Sequence, residues 1–552
     1  MKKIIPIAFG LALIGLSACE QQTEQAQVQP DQMISAERIR ADIEFLADDV
    51  MRGRDTGSVE YDIAANFFAN RLQYLGLDPM PGYDGYAQKF AFKTATAQDA
   101  DLTIMSTDEN KVFGYKEDFT TSANFISETA GVENAGIVFA GYGIHAPSLG
   151  HDDYQGIDAT GKFVVVFDGT PSNFATNERA HYSRRGKLDS LNEMGAVGVI
   201  YLQDKQDLER NSFEQSKGRP ARQSLRWATA DGVVRGQNDS LQYSISLSAD
   251  AADFLFQGEQ ISYEDLVTAF AEGQSQSFEL GKTLNFSVTS EHGSIASQNV
   301  AGVLEGTDPT MKNEYVIYSA HLDHVGERCR RINGDEEDHI CNGAYDNASG
   351  ISSILEVARV MAALPAEQAP KRSVVFVAVS GEERGLLGSD YFAQNTPAII
   401  NNGIANINLD MPLFLSASTG VTAIGAPHST IGDESAKAAK AVGLVPVDDP
   451  FPEQTLFVRS DHYNFVKQGI PAALIFTSFS PNDENPDPRG LYWPFLSEQY
   501  HSNKDDLDLP FVMDTARDYG RYALVMGLNI ANQQGVPQWK EGDFFGDMYK
   551  RR

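Results

Sequence analysis

Behind Ser35 the apolar residues Ile39, Ile43, Leu46 and Val50 recur every three or four positions. That spacing predicts a helix over 35–49 with Ser35 as its N-cap. A second helix is expected over 60–74, stopped by Gly76. From about Gly131 the texture changes to short apolar runs at 135–143, 152–154 and 161–167, then a helix over 184–194 and a strand over 197–202. Residues 205–240 are polar and read as loop-rich. Beyond Asn299 strands and helices alternate: strand 315–319, helix 351–363, then strands 373–379, 404–409 and 472–477. Apolar β runs interleaved with helices predict an α/β fold, with a mostly parallel central sheet covered on both faces. Reacting groups in such sheets collect at the carboxyl ends of the strands. No internal repeat interrupts the pattern.

Composition narrows the partners. The 552 residues carry 44 Lys and Arg against 76 Asp and Glu, a formal net charge of -32. So acidic a chain is repelled by polyanions, which excludes nucleic acid as a partner and non-specific adhesion to an anionic membrane surface. With 42% hydrophobic and 22% charged residues the chain is neither a disordered tail nor a multi-span membrane protein.

The N-terminus reads as an address. Lys2 and Lys3 precede an apolar run, 4–16, too short for a comfortable span, and Leu16-Ser17-Ala18-Cys19 resembles the lipobox of bacterial lipoproteins. The resemblance implies a signal peptide over 1–18, lipidation of Cys19 and a Gln-rich flexible tether over 19–33. The expected location is extracytoplasmic, in the periplasm or cell envelope, with the membrane touched only through the anchor. In that oxidising compartment Cys329 and Cys341, 12 positions apart, are expected to form a disulfide. Residues 116–288 resemble a protease-associated domain, implying a β-rich insert with a lid or substrate-guiding role. The remainder, 34–115 and 289–552, is then the catalytic domain.

Five motifs carry the chemistry: Ala320-His321-Leu322-Asp323-His324; Asn342 to Gly350 around Asp346; Ser380-Gly381-Glu382-Glu383-Arg384; Asn408-Leu409-Asp410-Met411; and Tyr500-His501-Ser502-Asn503-Lys504-Asp505. Four of them directly follow a predicted strand. Imidazole and carboxylate donors without thiolate suit zinc in a catalytic rather than a structural site. Adjacent Glu382 and Glu383 repel when ionised, and a divalent cation beside one relieves that cost. Asp323, two residues after His321, is placed to take the ring's other N–H, and Asp505, four residues after His501, is placed for the same role.

In order and spacing the set resembles the zinc aminopeptidases with two co-catalytic metals, whose fold also hosts glutamate carboxypeptidases and glutaminyl cyclases. The resemblance covers about 35–100 and 290–530. It implies two Zn²⁺ per chain, one held by His321 and Asp410, the other by Glu383 and His501, with Asp346 bridging and Glu382 as general base. The turn from Arg52 to Gly57 also resembles that family's Gly-Arg-x-x-Gly segment. Tyr345 departs from the pattern, since many relatives carry a second Asp before the bridge. Tyr345, Asp461 and His462 are read as possible substrate-lining residues, the last two with a structural role as the even alternative. His324 and His339 are assigned surface or supporting roles rather than coordination.

The implied function is an aminopeptidase acting on peptides with a free N-terminus. The alternatives are a carboxypeptidase on the same fold, which needs cations such as Arg384, Arg459 or Arg489 for a C-terminal carboxylate, and a non-catalytic receptor or scaffold. A single-zinc glutaminyl cyclase fits the full donor set less well.

Overall fold

The computed structural model describes residues 1, 29–183, 185–210, 212–217, 219, 221–237, 239–329, 338–478 and 489–551. The expected signal peptide, Cys19 and the tether up to residue 28 lie outside the described residues beyond Met1. The end of the expected tether is docked rather than free: residues Pro30–Met33 form a short turn, and Asp31 pairs with Arg521 at 2.7 Å.

Helix α1 (Ala36–Leu46) begins where expected, Ser35 Oγ accepting from the Arg38 amide. Helix α2 (Val59–Tyr74) ends at Gly76, whose φ of +77° is the left-handed value that glycine adopts most readily. Strand β1 (Ala87–Met105) is followed by β2 (Thr129–Ala140), β3 (Phe163–Phe167), helix α3 (Thr176–Tyr182), β4 (Gly198–Leu202), β5 (Tyr243–Leu247) and the long β6 (Ser277–Leu304). Strands β1 and β6 pair antiparallel from Ala87 opposite Val300 to Met105 opposite Thr283. On the other side of β6 lies β2, and β3, β4 and β5 continue from it in parallel. Phe139, Phe167, Ile200, Leu255 and Phe286 are among the fully or nearly fully buried residues of this half.

The segment read as loop-rich, 205–240, contains two short helices and a strand, Ser224–Ala228, paired with β1. From that strand Leu225 and Trp227 pack on one face onto Phe90, Phe92 and Tyr391, and the small Ala228 is buried beside them. Two alternating positions are too few for a period-two pattern to stand out in a polar stretch.

After β6 come β7 (Tyr315–His321), α4 (Ser349–Ala362), β8 (Ser373–Val379), α5 (Leu387–Asn395), β9 (Gly403–Leu409), β10 (Gly420–Ile424), α6 (Ile431–Ala441), β11 (Ala472–Ser478) and α7 (Met513–Asn532). Strand β7 lies between β8 and β9, parallel to both, and β11 extends the parallel set beyond β9. The C-terminal end of β6 and strand β10 run antiparallel at the flanks.

Alternation along the strands divides the core into two layers. Val316, Tyr318, Ala320, Val374, Phe376 and Ala378 join the cluster containing α1, α4 and α7 residues. Tyr315, Ile317, Val375, Val377 and Val379 face Phe392, Ile399, Phe465 and Ile470. The chain passes from β7 through α4 to β8 on one side, then returns to β9 on the other. This reversal at β7 opens a crevice at the carboxyl ends of β7, β8 and β9. Among the described residues no helix is long and apolar enough to cross a membrane.

Phe376 is fully buried and stacks on Tyr318 with ring centroids 5.2 Å apart. Phe376→Ala is expected to cost about 3–5 kcal/mol, read as a lowered urea midpoint. Val50→Ala, at a position 72% exposed, should stay within about 0.5 kcal/mol.

Candidate metal centre and active site

The strand ends deliver the donors. His321 is the last residue of β7, Glu382 and Glu383 follow β8 by three and four positions, and Asp410 comes directly after β9. Asp346 lies in the turn before α4, and His501 in the segment before α7, with φ +52°. His321 Nε2 stands 3.1 Å from Asp346 Oδ1 and 3.1 Å from Asp410 Oδ1. His501 Nε2 stands 3.2 Å from Asp346 Oδ2 and 2.9 Å from Glu383 Oε2. The two oxygens of Asp346 are thus divided between two donor groups.

A cation suits each group. The His501 Nε2 approaches lack hydrogen-bond geometry, which fits a lone pair converging with carboxylate oxygens on a common point. One group comprises His321, Asp346 and Asp410; the other comprises His324, Asp346, Glu383 and His501, their donor atoms within 4.8 Å of one another. The donor chemistry, nitrogen and oxygen alone, suits zinc.

Hydrogen bonds fix the donors from behind. His321 Nδ1 faces the Asp323 carbonyl oxygen at 3.0 Å, leaving Nε2 for the centre. Asp410 Oδ2 accepts from Ser460 Oγ at 2.6 Å, which accepts from Asn408 Nδ2; Asn408 Oδ1 in turn accepts from Ser319 Oγ. Asn347 ties the bridging turn to the end of β9: its Nδ2 donates to the Leu409 carbonyl, and its Oδ1 accepts from the Gly350 and Met411 amides. A Cβ on Gly350 would sit 2.2 Å from that Asn347 Oδ1, so the position admits only glycine.

Several sequence-based expectations are corrected. The Asp323 carboxylate does not take the His321 N–H; it accepts from Thr56 Oγ1 at 2.8 Å and from the Glu382 amide at 3.2 Å, while its main-chain carbonyl serves the ring. Asp505 does not pair with the His501 ring but receives the Tyr345 and Asp346 amides at 2.8 and 2.9 Å, holding the bridging turn. Tyr345 does not line the substrate space. Its ring stacks on Phe511 at 4.7 Å and its hydroxyl donates to the Pro510 carbonyl, inside the core. Asp461 and His462 are fully buried and lie outside the cavity lining, because the short helix His462–Val466 turns inward immediately after Ser460. His324 is fully buried, not a surface residue, whereas His339 is exposed. Cys329 and Cys341 are disulfide-bonded, with Cα atoms 5.9 Å apart.

A cavity of about 300 Å³ opens beside the centre. His321, Asp346, Glu382 and Asp410 line one end, and Met411, Phe451, Leu456, Leu474, Phe476 and Trp493 give the rest an apolar wall. Tyr500, also in the lining, stacks on His501 with centroids 3.8 Å apart. Sequence reasoning missed Ser460, Asn347 and Tyr500 as functional residues. For Asn408 the signal was present: two asparagines, Asn406 and Asn408, stand two apart on one face of an apolar strand.

Electrostatics separates the acids. Burial raises the Glu382 carboxyl well above its ordinary range, reinforced by Glu383, Asp410 and Asp461 despite the nearby His321. Burial opposes ionisation of Asp346 too, yet His321 and His501 hold it well below its ordinary value. Burial lowers His501, but the Asp346 and Glu383 carboxylates outweigh it and lift the ring to about 10.

A family model described as peptidase family M28 matches residues 299–526. A probable zinc metalloprotease of Pyrenophora teres is 35% identical over 123 residues, 22% of this chain and 24% of that protein. Aminopeptidase YwaD of Bacillus subtilis is 27% identical over 217 residues, 38% of this chain and 40% of that protein. These matches span less than half the length of either curated relative. Among solved structures, an aminopeptidase from Aneurinibacillus sp. strain AM-1 superposes with a TM-score of 0.49 at 20% identity, over 95% of this chain and 98% of that one.

The raised His501 value sets the sign of a pH dependence. In the metal-free chain its stabilising pairing is complete below its ordinary value of 6.5 and is lost as pH rises through about 10. Zinc needs the neutral ring, so loading at pH 8 is expected to expel at least one proton per chain, and apparent affinity should climb from pH 7 to 9. Titration calorimetry in two buffers of different ionisation enthalpy reads this directly. Buffer-independent heats would contradict it.

Proposed function

We propose that this chain is a zinc-dependent exopeptidase, an aminopeptidase that removes N-terminal residues from peptides with two zinc ions per chain. The observation that carries the reading is the division of the Asp346 oxygens between the two donor groups. His321 and Asp410 would hold one ion, Glu383 and His501 the other. Zinc so held supplies Lewis-acid polarisation of the scissile carbonyl and lowers the pKa of the attacking water. Glu382, in the cavity wall with an upshifted carboxyl, is matched to take the water's proton and return it to the leaving amine. Burial, with the surrounding carboxylates, keeps the Tyr500 phenol protonated. It stands in the wall as a donor for the oxyanion that develops on the carbonyl.

The cavity supports terminal cleavage. A free N-terminal ammonium is complementary to its acidic end, and a large side chain of the terminal residue fits its apolar wall. Arg459, the one Lys or Arg among the described lining residues, is the feature that favours the rival carboxypeptidase reading. Residues 116–288 would act as a protease-associated insert guiding substrate. Lipidation at Cys19 would tether the enzyme outside the cytoplasm, facing peptides there.

Two measurements test the reading. Chelation should abolish hydrolysis of aminoacyl chromogenic substrates and zinc restore it, with N-blocked analogues left uncut; full activity without metal, or cleavage of only the blocked set, would contradict it. Glu382→Gln should retain metal and lose about 10²–10⁴-fold in kcat with KM little changed, because the amide keeps the shape but accepts no proton. Near-normal kcat in that variant would remove the base role.

A further inference from the structure

His324 belongs to the second donor group by position, yet its geometry differs from that of its neighbours. Its ring is fully buried, and Nδ1 lies 2.9 Å from Glu383 Oε1 in hydrogen-bond geometry. From Asp346 Oδ2 it is 3.8 Å away. Glu383 therefore shows one oxygen, Oε2, to His501 and the other to His324. The His324 main chain is held as well: its amide donates to the Arg54 carbonyl, and Gly326 donates to Gly53. Arg54, itself buried, donates from its guanidinium to the carbonyls of Leu322 and Gly343 on either side of the ring's seat. The seat has no spare room, since a Cβ on Gly343 would meet His324 Cγ at 2.6 Å.

We propose that His324 is a positioning residue for the metal ligand Glu383, donating from Nδ1 to Oε1 so that Oε2 alone is presented to the ion shared with His501. The arrangement inverts the common one, in which a carboxylate orients a ligating imidazole. A free Glu383 carboxylate has four sites at which it can accept and can rotate to bind through both oxygens. Fixing Oε1 removes that freedom before the metal arrives. The Gly53–Thr56 turn supplies the rigidity: it pins the main chain on both sides of His324 and holds Asp323 through Thr56.

The proposal rests on the two-metal reading, and its test separates the two. Zinc is titrated calorimetrically into metal-free wild-type, His324→Leu and His324→Asn proteins, and Co²⁺-loaded samples are compared by visible absorption. The Asn side chain can place a donor near the position of Nδ1, whereas Leu cannot. Wild type should bind two ions. His324→Leu should bind one of them about 10–100-fold more weakly and leave the other unchanged. His324→Asn should recover most of that affinity and keep the wild-type cobalt spectrum. If Asn behaves as Leu does, and both change the cobalt spectrum, His324 is itself a ligand and the proposal fails. Native affinity for both ions in His324→Leu also overturns it. Failure of the wild type to bind metal would instead strike the underlying two-metal reading.

Discussion

Everything in the crevice is organised around one carboxylate with two faces. Asp346 Oδ1 meets His321 and Oδ2 meets His501, so two donor groups on separate loops share a single residue. Four acidic side chains, Asp346, Glu382, Glu383 and Asp410, gather where little water can screen them. Such crowding is costly unless positive charge is present, and divalent cations would supply it at the points where the nitrogens and oxygens converge. The supporting hydrogen bonds follow from that demand. Asp505 on the bridging amides, Ser460 on Asp410 and Asn347 across to the end of β9 each fix a donor whose misplacement would leave a charge buried without a partner.

The parallel sheet makes this gathering possible. β7, β8 and β9 end at one edge, and the strand ends with the residues just past them carry His321, Glu382 and Asp410 from points far apart in sequence. Strong apolar alternation gives the strands two well-filled faces, so each strand end is held in place. Asp346 and His501 come from turns rather than strands. Their positions depend on local devices such as the Gly350 approach and the left-handed backbone at His501.

Much of this was legible in the sequence, and the rest fails for identifiable reasons. The α/β alternation beyond Asn299 predicted strands that the structure places within a few residues, because continuous apolar, valine-rich runs such as Val374 to Val379 report burial on both faces. The five residues expected to hold metal, His321, Asp346, Glu383, Asp410 and His501, lie within reach of one another at the strand ends. Their supporting contacts differ from what the sequence offsets predict. Asp323 follows His321 by two, yet its carbonyl, not its carboxylate, meets the ring. Asp505 follows His501 by four, yet it reaches back to the amides of another loop. Tyr345 stands beside the bridge in sequence but points into an aromatic cluster. Such directions are set by tertiary packing, which spacing does not encode. The long β1–β6 ribbon escaped notice because its many Thr, Ser, Gln and Ala residues dilute the hydrophobic pattern.

Anomalous X-ray diffraction from zinc-loaded crystals at the zinc edge tests the Asp346 bridge directly. A bridging Asp346 predicts two peaks about 3.5–4 Å apart, one against His321 and Asp410, the other against Glu383 and His501, with one oxygen of Asp346 on each. A single peak, or two peaks that do not share Asp346, would contradict it.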